Sequence, residues 1–177
     1  MKISIGTKIK EGPFGGGNSF VLNLQNNLKK DGHIVVDNLV DIDIDIILLF
    51  NPLVDAENST FNNFDIDYYQ NFINPLAVSI QRINECDERK NTNYINKKII
   101  SSNKNIDVNI YVSRWLNNLY KSQGLEKSYE KVMNYLSAVN QEAMERNQQF
   151  EELNQAKSRM MPQISAYSQA AKKMDPQ

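Results

Sequence analysis

Two patterns of apolar positions meet near Gly124. Before it, short β-branched runs alternate with stretches whose apolar residues recur every three or four positions, as strands and helices do in an α/β domain. Ile3 to Ile5 predicts a strand, followed by the loop Lys10-Glu11-Gly12-Pro13-Phe14-Gly15-Gly16-Gly17. Asn18 or Ser19 can cap a helix through Phe20, Val21, Leu24 and Leu28, and Gly32 suits its left-handed end. Ile34 to Val36 predicts a second strand and Asp43 to Phe50 a third, stopped by Asn51-Pro52. A helix is expected over Asp65 to Ile73 and a strand over Leu76 to Ile80, running into the charged segment Gln81 to Lys90. Thr92 to Lys104 predicts a helix and Val108 to Val112 a strand; Ser113 caps a helix containing Trp115, Leu116 and Leu119. Right-handed crossovers between such strands give a Rossmann-like, doubly wound parallel sheet.

Beyond Gly124 the period changes. Leu125, Tyr129, Val132, Leu136, Val139 and Ala143 step by four and three, and Phe150, Leu153, Met160, Ile164, Tyr167, Ala171 and Met174 continue the stripe. Tyr135 adds apolar area, whereas Arg146 and Lys157 interrupt the stripe. Pro162 lacks a backbone donor, so the expectation is a helix from Glu126 to Met160, a break near Pro162, then a shorter helix. The expected division is 1–124, the Rossmann-like domain, and 125–177, a long α-helical extension. The heptad-like stripe either packs on the first domain or pairs with partner helices, including copies of itself.

Composition narrows the function classes. With 20 basic and 21 acidic residues, no global field recruits nucleic acid or an anionic membrane. No segment approaches the ~20 apolar residues that span a bilayer, and the start lacks the long apolar run of a secretory signal. One cysteine, Cys86, excludes an internal disulfide framework and suits a reducing, cytoplasmic setting. One cysteine and one histidine, His33, cannot build a zinc site between them. Asp41, Asp43 and Asp45 alternate and would share a strand face, with a solvated edge as the default over a metal site.

Several residue groups can carry chemistry. Gly15, Gly16, Gly17 and Asn18 before a helix can present backbone N–H groups to a phosphate or sugar hydroxyl; an ordinary strand-to-helix turn uses the same glycines. Arg82, Asn84, Arg89 and Lys90 can hold phosphate or acceptor oxygens, and Asp87 or Glu88 can orient a hydroxyl or take its proton. A solvated loop with a capping carboxylate is the competing reading. Cys86 is expected to be packed, His33 to lie at the amino edge away from ligand, Ser113 to be a cap and Trp115 to be core.

Three segments in order resemble the N-terminal domain of glycosyltransferases of the GT-B fold, specifically family 4. They are the glycine-rich loop from Gly6 to Phe20, the string Arg82-Ile83-Asn84-Glu85-Cys86-Asp87-Glu88-Arg89-Lys90, and Tyr111-Val112-Ser113-Arg114-Trp115-Leu116. The step from Gly32-His33 to Val35 fits too, so the resemblance covers roughly residues 1 to 124. It implies an acceptor-side domain whose glycine loop lines a cleft, in enzymes that take sugar from a nucleotide-sugar co-substrate without a resident cofactor or carboxylate-bound metal. Such enzymes bind the donor on a second Rossmann-like domain carrying Glu-x7-Glu. Here Glu142, Glu145 and Glu152 lie on helix-patterned sequence without that spacing, so no residue inherits the donor site. The expectation is a glycosyltransferase-like chain, truncated or derived, that turns over no sugar by itself. The alternatives are a non-catalytic assembly module oligomerised through its C-terminal helices, and two parts joined by rearrangement.

Overall fold

The computed structural model describes residues 1–10, 12, 15–52, 58–127 and 130–174. Glu11, Pro13 and Phe14 of the glycine loop and Tyr129 of the stripe lie outside the described residues. So do the side chains of Val132, Tyr135, Leu136, Val139, Ala143, Ile164, Tyr167, Ala171 and Met174.

The elements run in chain order as β1 (Lys2–Ile5), α1 (Gly15–Lys30), β2 (Ile34–Val36), β3 (Ile46–Leu49), α2 (Asn63–Phe72), β4 (Val78–Ile83), α3 (Asp87–Lys90), α4 (Ile95–Ser102), β5 (Val108–Tyr111), α5 (Arg114–Ser122) and α6 (Glu130–Met174). Among the described residues the strands form one parallel sheet in the order β2-β1-β3-β4-β5. The doubly wound α/β class predicted from the alternation is therefore present. After β2 the chain crosses back over β1, so the topological switch lies between the carboxyl ends of β1 and β3.

Side chains alternate across the strands and fill both faces. Ile3, Ile5 and Leu48 meet Val21 of α1 on one face. Ile47 and Leu49 meet Ile66 and Tyr69 of α2 on the other. A third cluster joins Ile83, Cys86, Ile95, Ile99, Leu116, Tyr120 and Leu125.

Buried amides interrupt this apolar packing. Gln81 of β4 stands opposite Asn109 of β5 in the sheet register. Asn103, fully buried after α4, donates from Nδ2 to Gln81 Oε1 and Asn109 Oδ1. Gln81 Nε2 donates to Ser102 Oγ at 3.1 Å. Each amide has a partner, as burial demands.

Several local expectations are corrected. Helix α1 begins at Gly15, so Asn18 lies in its first turn rather than at its cap. The Asn18 side chain reaches back to Lys10, accepting its N–H and donating to its carbonyl, both at 2.9 Å. The third strand is confined to Ile46–Leu49 because the aspartates before it gather around Lys2 instead of sharing a strand face. Lys2 Nζ pairs with Asp43 at 2.6 Å and Asp41 at 3.0 Å, and Asp45 accepts the Lys2 backbone N–H at 2.7 Å. The hydrogen bond from Lys2 holds the Asp43 pKa below its ordinary value. Strand β4 continues to Ile83, which puts Arg82 on the strand rather than in the following loop. Trp115, expected in the core, is 51% exposed: α5 buries Leu116 and Tyr120, four residues apart, and Trp115 falls about 100° off that line.

Two compact units divide the chain, Met1–Met133 and Asn134–Gln177. The first extends past the change of pattern at Gly124, with Leu125 in the core and Lys127 Nζ donating to the Asn103 carbonyl. In the second, α6 runs through Pro162 without the expected break. A proline inside a helix costs about 3 kcal/mol, which kinks or weakens it without obliging it to stop.

Candidate functional site

Parallel strands share one carboxyl rim, and the residues that follow them meet there. The chain after β3 carries Phe50, β4 ends with Arg82 and Ile83, and α1 opens on Gly15, Gly16 and Gly17 with Phe20 one turn later. The Arg82 Cζ lies 4.5 Å from the Phe20 ring centroid and 5.1 Å from that of Phe50. The two rings are themselves stacked at 6.2 Å. A Cβ on Gly17 would sit 3.4 Å from the Phe50 ring, so the glycine turn and β3 are in near contact. The glycine turn and the arginine-flanked string thus converge on the same rim, beyond the carboxyl ends of β3 and β4.

A cleft of about 400 Å³ opens at this rim, lined by Phe50, Asn51, Pro52, Arg82, Asn84, Glu85, Lys90, Thr92, Tyr94, Ile95 and Ile99. Arg82 Nη1 is buried and has no hydrogen-bond partner among the described residues. Burial pushes the Arg82 pKa down, and the nearby Glu85 carboxylate pulls it back up. Glu85 Oε2 is also buried without a hydrogen bond, although Lys90 Nζ forms an ion pair with it at 3.5 Å. Arg82 and Glu85 therefore line one cleft, and each keeps a buried polar atom with hydrogen-bonding capacity to spare.

The other candidate residues are largely engaged. Asp87 accepts from Thr92 Oγ1 and from the backbone N–H groups of Tyr94, Ile95 and Asn96, so it serves as the anchor for the start of α4. Burial raises its pKa, but these hydrogen bonds outweigh it and leave the group below its ordinary value. Glu88 takes the Asn96 Nδ2 donor at 3.2 and 3.3 Å. Arg89 Nη1 donates to the Asn84 carbonyl at 2.9 Å, and Asn84 Nδ2 lies 3.5 Å from Glu85 Oε1. Of the glycines, Gly15 and Gly16 have no neighbour within 4 Å of a built Cβ, and none of the three lines the cleft. Asn18 is committed to Lys10.

Beneath the string, Tyr120 Oη donates to the Glu85 carbonyl at 2.8 Å and lies 3.1 Å from Asn96 Oδ1, which also accepts the Asp87 N–H. Burial raises the Tyr120 and Cys86 pKa values. Cys86 is fully buried and remains a packed thiol at neutral pH. His33 precedes β2 at the amino edge of the sheet, and Ser113 Oγ caps α5 by accepting the Leu116 N–H. Among the described residues, no group of three or more His, Cys, Asp or Glu side chains could hold a metal ion.

Phe20, Phe50, Tyr94, Asn96 and Tyr120 were not singled out from the sequence as site residues. Two of them carried a signal: Phe20 stands one turn after three glycines, and Phe50 ends the third apolar run just before Asn51-Pro52. Asn96 and Tyr120 carried none, because their partners lie 8 to 35 residues away.

No protein-family model matches the chain, and no curated protein or solved structure matches it. No helix among the described residues is long and apolar enough to cross a membrane.

Proposed function

We propose that the α/β unit is the acceptor-side domain of a glycosyltransferase-like protein and binds a sugar or sugar phosphate at the carboxyl rim beside Arg82. The observation that carries this reading is the Arg82 guanidinium, laid against Phe20 and Phe50 with Nη1 unpartnered at a cleft that also contains Glu85. The two rings hold the guanidinium in place, and its unpartnered Nη1 can take an oxygen of a diol or a phosphate. A sugar hydroxyl both donates and accepts, so it satisfies Arg82 and Glu85 together. Phe50 and Tyr94 supply apolar wall for a ring. The resemblance of the glycine loop, the arginine-flanked string and the Ser113-x-Trp115 step to the GT-B N-terminal domain supports naming sugar rather than another polyol. Donor binding and a catalytic base are assigned to no residue.

Titrating ¹⁵N-labelled protein with glucose 1-phosphate, UDP-glucose and maltotriose tests this. The amides of Arg82, Asn84, Glu85 and Tyr94 are expected to shift together, and R82M to weaken binding about tenfold, as the loss of one charged hydrogen bond implies. Absence of cleft shifts with all three sugars overturns the reading.

The C-terminal unit supports a second role, assembly. Helix α6 has 45 residues, and its Met144, Phe150, Leu153 and Met160 are all exposed. Apolar positions on so long a helix favour a helical partner. Sedimentation equilibrium is expected to show a mass that rises with concentration and falls in L153E; a strictly monomeric chain removes this role.

A further inference from the structure

Helix α2 buries Ile66 and Tyr69 and turns three aromatic rings outward. Phe64 is 71% exposed, Tyr68 60% and Phe72 75%. Spaced four apart, they form one stripe, and the Tyr68 and Phe72 rings touch with centroids 5.1 Å apart. At about 200 Å² per aromatic side chain, the stripe leaves roughly 400 Å² of ring surface in water, within the range of the largest patch on a monomer, which is often functional. None of this serves the rim cleft.

We propose that the α2 stripe pairs with the α2 stripe of a second copy of this chain, antiparallel, about a two-fold axis at Tyr68. The spacing Phe-x3-Tyr-x3-Phe reads the same in both directions, so antiparallel pairing sets Phe64 against Phe72 of the second copy and Tyr68 against its own counterpart. The stripe spans about 12 Å of helix, enough for one helix crossing. Covering it on both copies removes roughly 800 Å² of ring surface, and flanking Asp65 and Asn71 bring the total to the ~1,000 Å² that a specific interface needs. A lipid surface fits less well: α2 carries Asp65 and Asp67 and no basic residue, so anionic headgroups repel it. Asp65 is held in the capping box with Asn62 and Asp67 accepts from Asn71, so neither carboxylate projects bare into the pair.

Cysteine cross-linking of the full chain tests the register. Y68C is expected to form a disulfide-linked dimer under mild oxidation about tenfold faster than K97C, at an exposed position of α4, because pairing holds the thiols at roughly millimolar effective concentration. The native Cys86 is buried and gives no background. Adding F72D to Y68C is expected to return the rate to that of K97C. Equal rates for Y68C and K97C overturn the proposal, as association through α6 alone would give. Co-sedimentation of the wild-type chain with phosphatidylcholine–phosphatidylglycerol vesicles, lost in F72D, overturns it in favour of lipid.

Discussion

Removing the hydroxyl of Tyr69 isolates a single buried polar bridge. The ring is 1% exposed, and its Oη donates to the Asp41 carbonyl at 2.7 Å while accepting the Ile44 N–H at 3.0 Å. Tyr69→Phe keeps the ring in the core cluster and strands both backbone groups. Asp41 is partly exposed, so its carbonyl can rehydrate; Ile44 is fully buried, and its N–H cannot. One orphaned buried donor costs about 1–3 kcal/mol, so the expected loss is about 2 kcal/mol. With a urea m value of about 2 kcal/mol/M, the midpoint should fall by about 1 M at unchanged m. The only tryptophan, Trp115, lies on α5, so its fluorescence follows the α/β unit without contribution from α6. Tyr94→Phe is the control: its ring is 48% exposed, and the change should stay within about 0.5 kcal/mol. Equal midpoints for the two variants would refute the claim that Tyr69 satisfies Ile44.

Other outcomes follow from the same geometry. Asp87→Asn should lower the melting temperature at pH 7, because the ionised carboxylate is the form the α4 start holds; its folded pKa is depressed, so this stability is present above the unfolded carboxylate pKa of about 4 and fades as pH falls through the folded value. Thermal scans from pH 7 to pH 2.5 should show the gap between variant and wild type closing; a constant gap contradicts it. Gly32→Ala should destabilise by about 1 kcal/mol through backbone strain alone, since φ is +82° and nothing lies within 4 Å of a Cβ. Gly16→Ala, in α1 with equal space and no such φ, should stabilise by about 0.5–1 kcal/mol. Urea titrations that move both variants the same way would break that contrast.

Much of the fold could be read from local pattern because parallel α/β topology leaves few choices. Runs such as Ile34 to Val36 are β-branched and short, the helices between the strands carry apolar residues at helical spacing, and right-handed crossovers place every carboxyl end on one rim. That reasoning brought the triple glycine and Arg82 to the same edge. What it could not supply were contacts settled by three-dimensional competition. Asp41, Asp43 and Asp45 alternate like a strand face, but one residue, Lys2, draws them together, the first two through its ammonium and the third through its backbone N–H. Trp115 has the bulk of a core residue, yet α5 turns its buried line to Leu116 and Tyr120. Asp87 and Glu88 read equally as acid–base candidates or caps until the N–H groups around them were visible. Pro162 signalled an interruption that α6 absorbs.

The Gln81–Asn103–Asn109 cluster bears on how the sheet assembles. Strand β5 has four residues and closes one side of the sheet, so apolar contacts alone discriminate weakly between neighbouring alignments. Sliding it by one position would bring Val108 or Ile110 opposite Gln81 and leave amide groups dry and unmatched, at about 1–3 kcal/mol for each. The three amides therefore act as a check on the alignment of this edge strand. Replacing all three with leucine should harden the protein against urea while letting β5 settle in more than one alignment.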